Sequence, residues 1–340
     1  MSSIHPFIFI FFFSILTALF TKILIHLDIN KRTYNHVPGE CGIIPNLPGA
    51  LDFATTNDGK LYLTTNSLEH RASNGHVFTF NADNKTAKEM RIIGKNDRIK
   101  PSAMSISPGK QNPNLFLFDE RSSSVDIYGT RNDNDDVVFL HGTKNEKFSG
   151  ISGISAITTL SFFFIKTSIF TSDIMNTFER VIPIPTGQLY LFNGKSVISL
   201  DYISTPTGIV FDSFRKLIYV TSFSRNSILV YSVGKGHKIT FLKEVDIKCA
   251  PTSVWKDFDG SLLVTCSQVR MRYLFALWKI TTTSPSLVLR VSLPTDDSKE
   301  AAITQLYSND GATISKANRA VRSGRSLLIS DGQQILNCIL

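Results

Sequence analysis

Few residues of this 340-residue chain are spaced as catalytic groups would be. None of its seven histidines stands beside a serine or cysteine in a recognisable nucleophile motif, and no G-x-S-x-G elbow occurs. The run Asn132–Asp136 is similar to the start of a calcium loop, but it lacks the spaced ligands and the terminal glutamate of an EF-hand. A polar hairpin turn is the favoured interpretation there. Asp119-Glu120-Arg121 follows a strand-like run and indicates a solvated turn rather than an acid–base pair.

The composition is that of one large globular unit or two smaller ones. Hydrophobic residues make up 42% of the chain and charged residues 19%, which excludes a disordered tail protein. The net charge of +8 comes from 36 basic and 28 acidic residues that are scattered along the chain. The chain has no block of lysine and arginine that could bind along a phosphate backbone, and we therefore expect no nucleic-acid partner.

The cysteines and one glycosylation motif bear on the compartment. The four cysteines are too few for a disulfide scaffold, and they contain no C-x-x-C pair of a zinc site. Asn84-Lys85-Thr86 is an N-glycosylation acceptor, which on its own is weak evidence for the secretory pathway.

The N-terminal 27 residues predict a membrane anchor. The apolar stretch from Phe7 to Leu27 reaches about 20 residues, enough to span a bilayer as a helix. A secretory signal peptide is the alternative, but no A-x-A cleavage site follows, which favours an uncleaved segment. Lys22, Lys31 and Arg32 would favour the cytosol for the residues after the segment, so the orientation stays open at this point.

Residues 28–340 carry a strand pattern with almost no long helical periodicity. Short runs rich in β-branched and aromatic residues, such as Leu217–Thr221 and Ser227–Tyr231, are bounded by polar turns. A turn followed by such strands recurs about every 40–60 residues, which is typical of propeller blades. The sequence therefore predicts an all-β, six-bladed β-propeller after the anchor helix. The aromatic run within Thr158–Phe170 is interpreted as a buried blade strand rather than a second membrane contact.

With these features, the chain from Cys41 to Leu340 resembles the paraoxonase/arylesterase family. Members of that family are six-bladed propellers with two central calcium ions and an uncleaved N-terminal hydrophobic segment. The likeness is strongest in the first strand, a central blade, the blade after it and the closing blade. The segments concerned are Cys41–Gly59, Thr207–Tyr231, Ser253–Cys266, Leu289–Gly311 and Ile335–Leu340.

The resemblance implies a disulfide between Cys41 and Cys338. The family ends on a cysteine two residues from its C-terminus, and that cysteine pairs with an early one. Such a bond would close the ring and would place the body in an oxidising compartment. Cys249 and Cys266 flank one blade and could also pair, but Cys266 matches a family position that is a free, buried thiol, so free thiols are favoured.

The calcium and histidine positions of the family are mostly altered in this chain. The Glu-Asp pair of the first blade falls on Leu51 and Asp52, so only one carboxylate remains, and Asp52 is a residual, weak candidate for a calcium ligand. Neither position of the histidine dyad holds a histidine. The two dyad positions fall on Ser102 and Glu120. The remaining calcium-ligand positions fall on Ser152, Gly153, Thr207, Pro251 and Thr252. Neutral hydroxyls bind calcium weakly, so we expect no catalytic residue and no cofactor, unless the calcium site of the family survives in another form.

Two functions from different classes follow from the resemblance. The first is a non-catalytic, membrane-tethered binding or chaperone-like module that lies in the lumen or outside the cell, or is secreted. Some nematode members of the family serve as membrane-anchored accessory proteins of ion channels, so a membrane-protein partner is part of this hypothesis. The alternative is a calcium-dependent arylesterase or lactonase that hydrolyses carboxylic esters. The loss of ligand positions favours the first, and whether the chain is an enzyme stays open.

Overall fold

The fold is a six-bladed β-propeller preceded by an apolar helix, as the sequence predicts. A computed structural model describes residues 4–56, 59–66, 75–82, 84–95, 98–108, 113–130, 136–170, 172–294 and 300–340. Each blade is an antiparallel sheet of four strands, and one blade carries a fifth strand in parallel. In four blades the innermost strand comes first in the chain, whereas in blades 2 and 6 an outermost strand from an earlier part of the chain precedes it.

The strands follow one another blade by blade. Blade 1 contains β2 (Ala50–Thr55), β3 (Leu61–Asn66), β4 (Gly75–Asn81) and β5 (Thr86–Glu89). Blade 2 contains β6 (Arg91–Ile93), β7 (Pro101–Ile106), β8 (Asn114–Asp119), β9 (Ser124–Thr130) and β10 (Asp136–Lys144). Blade 3 contains β11 (Ile151–Ala156), β12 (Phe162–Lys166), β13 (Gly187–Phe192) and β14 (Val197–Ile203).

The second half of the ring repeats the pattern. Blade 4 contains β15 (Pro206–Asp212), β16 (Leu217–Ser222), β17 (Ser227–Val233) and β18 (Ile239–Asp246). Blade 5 contains β19 (Ala250–Lys256), β20 (Leu262–Ser267), β21 (Ser286–Ser292) and β22 (Ala302–Asn309). Blade 6 contains β23 (Arg319–Ser323), β24 (Ser326–Ser330), β25 (Ile335–Ile339) and the early strand β1 (Cys41–Ile43).

The two ends of the chain meet in blade 6. Strand β1 runs antiparallel to β25, with Cys41 directly opposite Cys338. These two cysteines form a disulfide, with their Cα atoms 4.1 Å apart, and this is the pair that the resemblance implied. The bond links residues 297 positions apart and closes the ring covalently.

A second disulfide joins Cys249 and Cys266, so the expectation of free thiols is wrong. The register of blade 5 explains the pairing, because Ala250 of β19 lies opposite Ser267 of β20, which puts both cysteines at the same end of the hairpin. Their Cα atoms are 5.9 Å apart, within the usual span of a disulfide. Both side chains are buried.

The hydrophobic core is divided among the interfaces between neighbouring blades. One cluster packs Phe116 and Phe118 of blade 2 against Phe162 and Phe164 of blade 3. All four residues of Phe162–Ile165 are fully buried, which confirms the interpretation of the aromatic run as a blade strand. Alternate faces of β12 therefore pack against different neighbours, since Phe163 and Ile165 belong to the cluster shared with blade 4.

Three α-helices stand outside the sheets. Helix α1 (Ile4–His26) contains one stretch, Phe9–His26, that is long and apolar enough to cross a membrane, and none of that stretch is buried. Helices α2 (Asp173–Val181) and α3 (Arg270–Leu277) follow the second strands of blades 3 and 5. Because second strands run antiparallel to the innermost ones, α2 and α3 lie at the end of the ring where the innermost strands begin.

Candidate functional site

The six innermost strands surround an axial tunnel that widens into a cavity of about 270 Å³. Five of these strands form the wall with their C-terminal portions and β23 with its first two residues, so the cavity opens at the end of the ring opposite α2 and α3. Asp52 and Arg319 stand at its inner end. The wall is lined mainly by Asp52–Thr56, Met104–Pro108, Gly153–Ala156, Gly208–Phe211, Ser253–Phe258, Arg319 and Ala320.

Both carboxylate oxygens of Asp52 are engaged by groups of the protein. The Arg319 Nε–H donates to Asp52 Oδ1 over 2.9 Å, and the Phe53 backbone N–H donates to the same oxygen over 3.0 Å. The second oxygen, Oδ2, accepts the Met104 backbone N–H of blade 2 over 2.9 Å. Asp52 therefore neutralises an arginine and joins blade 1 to blade 2.

The rest of the Arg319 guanidinium faces backbone carbonyl oxygens on the tunnel axis. Its Nη1 donates to Asn318 O over 2.9 Å and to Thr252 O over 3.4 Å. Its Nη2 donates to Ser152 O, also over 3.4 Å. The side chains of Arg319 and Asp52 are only 17% and 14% exposed, so the charge pair is largely removed from solvent.

The hydroxyls at the other positions that the resemblance aligns with calcium ligands donate hydrogen bonds to backbone carbonyl oxygens. Thr207 Oγ1 of blade 4 donates to Pro251 O of blade 5 over 2.8 Å. Thr252 Oγ1 donates to Ala317 O, at the start of blade 6, over 2.9 Å. Ser152 Oγ donates to Ile165 O within blade 3. These side chains join inner strands to neighbouring strands, and each hydroxyl is already engaged in a hydrogen bond.

The remaining sequence-predicted positions are dispersed. Glu120 lies in an exposed turn and pairs with Lys100 Nζ at 2.6 Å. Ser102 Oγ is buried and has no hydrogen-bond partner in the described part of the chain. Leu51 is half-buried on β2, and Gly153 lines the cavity. Most of Asn132–Asp136 lies outside the described residues.

The donor set at the axis does not fit calcium. Calcium takes six to eight oxygen ligands, with carboxylates supplying most of the neutralising charge. Among the positions that the resemblance aligns with calcium ligands, Asp52 holds the only carboxylate, and both of its oxygens already accept hydrogen bonds, one of them from a cation. Among the described residues, no group of three or more histidine, cysteine, aspartate or glutamate side chains could hold a metal.

Two ion pairs stand at the mouth of the cavity. Lys256 Nζ lies 3.2 Å from Asp212 Oδ1, and Arg322 Nη1 lies 3.3 Å from Asp257 Oδ2. Burial alone would raise the pKa of Asp212, but the Arg215 N–H, the Lys256 ammonium and the Phe214 N–H outweigh it and lower that pKa below its ordinary value. At the mouth, each of these four charged side chains is therefore paired with a side chain of opposite charge.

Arg270 forms the joint between α1 and the propeller. Its fully buried guanidinium donates to His26 O at the end of α1 over 3.1 Å, to Phe223 O of blade 4 over 2.8 Å, and to the side chain of Asn226. Burial lowers the pKa of Arg270 to about 10, and Asp28, whose carboxylate accepts the Arg270 backbone N–H, opposes that shift. The joint ties the anchor to blades 4 and 5.

The helices beside this joint expose large apolar side chains. Ile174 and Phe178 of α2 are 63% and 48% exposed, and Trp278 at the end of α3 is 48% exposed. The Trp278 Nε1–H donates to Thr177 Oγ1 over 2.8 Å and so holds α2 and α3 together. The apolar surface therefore lies at the same end of the ring as α1.

The glycosylation motif lies in the exposed turn between β4 and β5. Asn84 is exposed, and its Oδ1 accepts the Thr86 Oγ1–H over 2.5 Å. The side-chain nitrogen of Asn84 is thus accessible from solvent at a blade edge.

Fold and site together define a ring-closed six-bladed propeller with a charge pair on its axis. The model of the Arylesterase family matches residues 12–340, and the chain therefore belongs to that family. Mechanosensory abnormality protein 6 of Caenorhabditis elegans is 23% identical over 347 residues, covering 94% of this chain and 91% of that protein. Serum paraoxonase/lactonase 3 of Rattus norvegicus is 21% identical over 239 residues, covering 68% of this chain and 66% of that protein.

Solved structures share the fold at low sequence identity. A luciferin-regenerating enzyme superimposes with a TM-score of 0.56 and 11% identity, covering 89% of this chain and 95% of the other. A gluconolactonase from Xanthomonas campestris gives a TM-score of 0.50 and 12% identity, covering 91% and 98%. At this identity the likeness establishes the propeller architecture alone.

Sequence reasoning missed Arg319, which the structure places at the centre of the site. A single arginine before the apolar pair Ala320 and Val321 gave a weak signal, since strand alternation does not tell which face points to the tunnel. The positions Asp52, Ser152 and Thr252 are brought together around it, whereas Glu120 stands apart at the surface.

Proposed function

We propose that the protein is a non-catalytic, membrane-tethered binding or chaperone-like module. The propeller would be a rigid scaffold in the lumen of the secretory pathway or outside the cell, held by the N-terminal helix. The engagement of both Asp52 oxygens carries this proposal, because the last carboxylate of the family's ligand positions is committed to Arg319 and to the backbone. The altered dyad positions Ser102 and Glu120 support it, since neither offers an imidazole as general base.

The compartment and tether are supported by independent features. Two disulfides are typical of proteins that fold in an oxidising compartment, which favours the lumenal side for the propeller despite the positive charges after α1. The buried Arg270 joint would fix the ring close to the bilayer. The end of the ring that faces the bilayer would then present exposed apolar side chains to a membrane-protein partner, namely Ile174, Phe178 and Trp278.

The alternative is a calcium-dependent arylesterase or lactonase, which membership of the Arylesterase family favours. In that case calcium would polarise the substrate carbonyl and stabilise the oxyanion. It would need ligands other than the side chains at the positions described above. Because one relative is named serum paraoxonase/lactonase 3, lactone hydrolysis is one of the activities to be assayed.

An assay of hydrolysis separates the two functions. The full chain, purified in detergent from a secretory expression host, is given an aryl acetate and an aromatic lactone in calcium buffer and in EGTA. We expect no turnover above that of the heat-denatured protein in either buffer. Turnover that appears with calcium and disappears with EGTA would establish the hydrolase instead.

A further inference from the structure

We propose that the Arg319 guanidinium is the resident cation of the propeller axis, a positive charge tethered to the chain in a site built of oxygens from four blades. Its acceptors are Asp52 of blade 1, Ser152 O of blade 3, Thr252 O of blade 5 and Asn318 O beside blade 6. The inference goes beyond the proposed function, because it concerns the charge that fills the centre of the propeller and not a partner that binds its surface.

The chemistry of the acceptors is that of a cation site. All four are oxygens, one carboxylate and three backbone carbonyls, which is the set that hard cations prefer. Carbonyl oxygens from different blades that point at one spot repel one another unless a positive charge lies between them. The guanidinium meets this need, since it is always charged and carries five N–H donors and no acceptor.

The charge count favours arginine over a divalent ion. Asp52 contributes a single negative charge, which the single positive charge of Arg319 balances. A calcium ion at the same place would leave an excess positive charge and would have to displace a side chain that is largely buried. In the wild type, the guanidinium of Arg319 therefore supplies the positive charge at the axis and calcium is not needed there.

The geometry also predicts what is left when the guanidinium is removed. In Arg319→Ala the Asp52 carboxylate and the three carbonyl oxygens remain around a space that solvent fills from the cavity. That arrangement is a weak calcium site with one carboxylate, comparable to sites with dissociation constants of about 10⁻⁴–10⁻³ M. Substitution of the arginine should thus create calcium dependence in a protein that has none.

Thermal melts of the full-length protein in detergent test this inference in EGTA and in about 10 mM calcium. The wild type should melt at the same temperature in both buffers. Arg319→Ala should melt roughly 5 °C or more below wild type in EGTA, because it leaves a carboxylate unpaired. Calcium should return about 2–4 °C to this variant.

Two further variants give the matched controls. Asp52→Asn in the Arg319→Ala background should abolish the recovery by calcium, since the carboxylate is gone. Arg322→Ala, on the same strand but at the mouth, should show no response to calcium. If Arg319→Ala does not fold, Arg319→Met keeps the side-chain volume, and its melting temperature relative to wild type in EGTA gives the same comparison.

Three results would overturn the inference. One is a wild-type melting temperature that falls by several degrees in EGTA and returns with calcium. Another is an Arg319→Ala variant that is as stable as wild type in EGTA. The third is a destabilised Arg319→Ala variant that calcium does not stabilise, which would reduce Arg319 to a simple ion-pair partner of Asp52.

Discussion

The Cys41–Cys338 disulfide should contribute more to stability than any other single bond in the ring. Strand β1 is held to β25 by only three residue pairs, and few backbone hydrogen bonds, such as those of Glu40 O and the Ile44 N–H, extend this contact. Replacement of both cysteines by alanine removes the covalent closure and leaves β1 held to blade 6 by hydrogen bonds and packing alone, while α1 stays fixed at the Arg270 joint. We therefore expect the ring to open first at this blade.

The sequence separations give the magnitude. In the chain-entropy model, a bond across 297 positions restricts the unfolded chain by about 6 kcal/mol, and a bond across 17 positions by about 3 kcal/mol. For a domain of this size the first figure corresponds to a fall in melting temperature of roughly 10 °C and the second to roughly 5 °C. The matched control is therefore the pair of substitutions Cys249→Ala and Cys266→Ala.

The assay compares the full-length wild type with the two double variants. Circular dichroism in detergent gives the melting temperatures, and limited proteolysis at low temperature reports whether residues 28–44 are released. Cleavage in that segment should rise only in the Cys41→Ala, Cys338→Ala variant. The reasoning is refuted if this variant melts within a degree of wild type, or if the control loses more stability than it does.

Three other outcomes are expected. Arg270→Met should speed exchange of backbone amides around Leu27 and lower the melting temperature by several degrees, because the burial site loses its hydrogen bonds to α1 and blade 4; unchanged exchange would argue against the joint. Asn84→Gln should abolish the mobility shift that peptide N-glycosidase causes in protein from a secretory host, and a wild type without any shift would contradict lumenal placement of the propeller. Asp212 has a lowered pKa in the fold, so its stabilising contribution is present above the ordinary value of 3.8 and is lost as the pH falls through the folded pKa; melts between about pH 3 and 6 should therefore flatten in Asp212→Asn and keep their slope in the exposed-site control Glu120→Gln.

The fold could be predicted because the local signals agree with one another. Leu217–Ser222 and Ser227–Val233 are β-branched and aromatic runs separated by a polar turn, and they pair as neighbouring antiparallel strands. The run Phe162–Ile165 reads as fully buried, and it is. A blade needs little more than such repeated hairpins, so the sequence pattern is sufficient for the architecture.

The second disulfide and the axial arginine could not be predicted for a different reason. Cys249 and Cys266 meet because of the register of one hairpin, which a shift of a single residue would have changed. Arg319 meets Asp52 because blade 6 lies beside blade 1, a contact between residues 267 positions apart. Both depend on long-range geometry, whereas turn and strand patterns are local.

The most direct test of the account is a measurement of metal content. Full-length protein, purified in detergent without chelator and passed into calcium-free buffer, is analysed for calcium against an equal volume of that buffer. With Arg319 on the axis and both Asp52 oxygens engaged, we predict no calcium above the buffer blank. Stoichiometric calcium that stays with the folded protein and is released on unfolding would contradict the account.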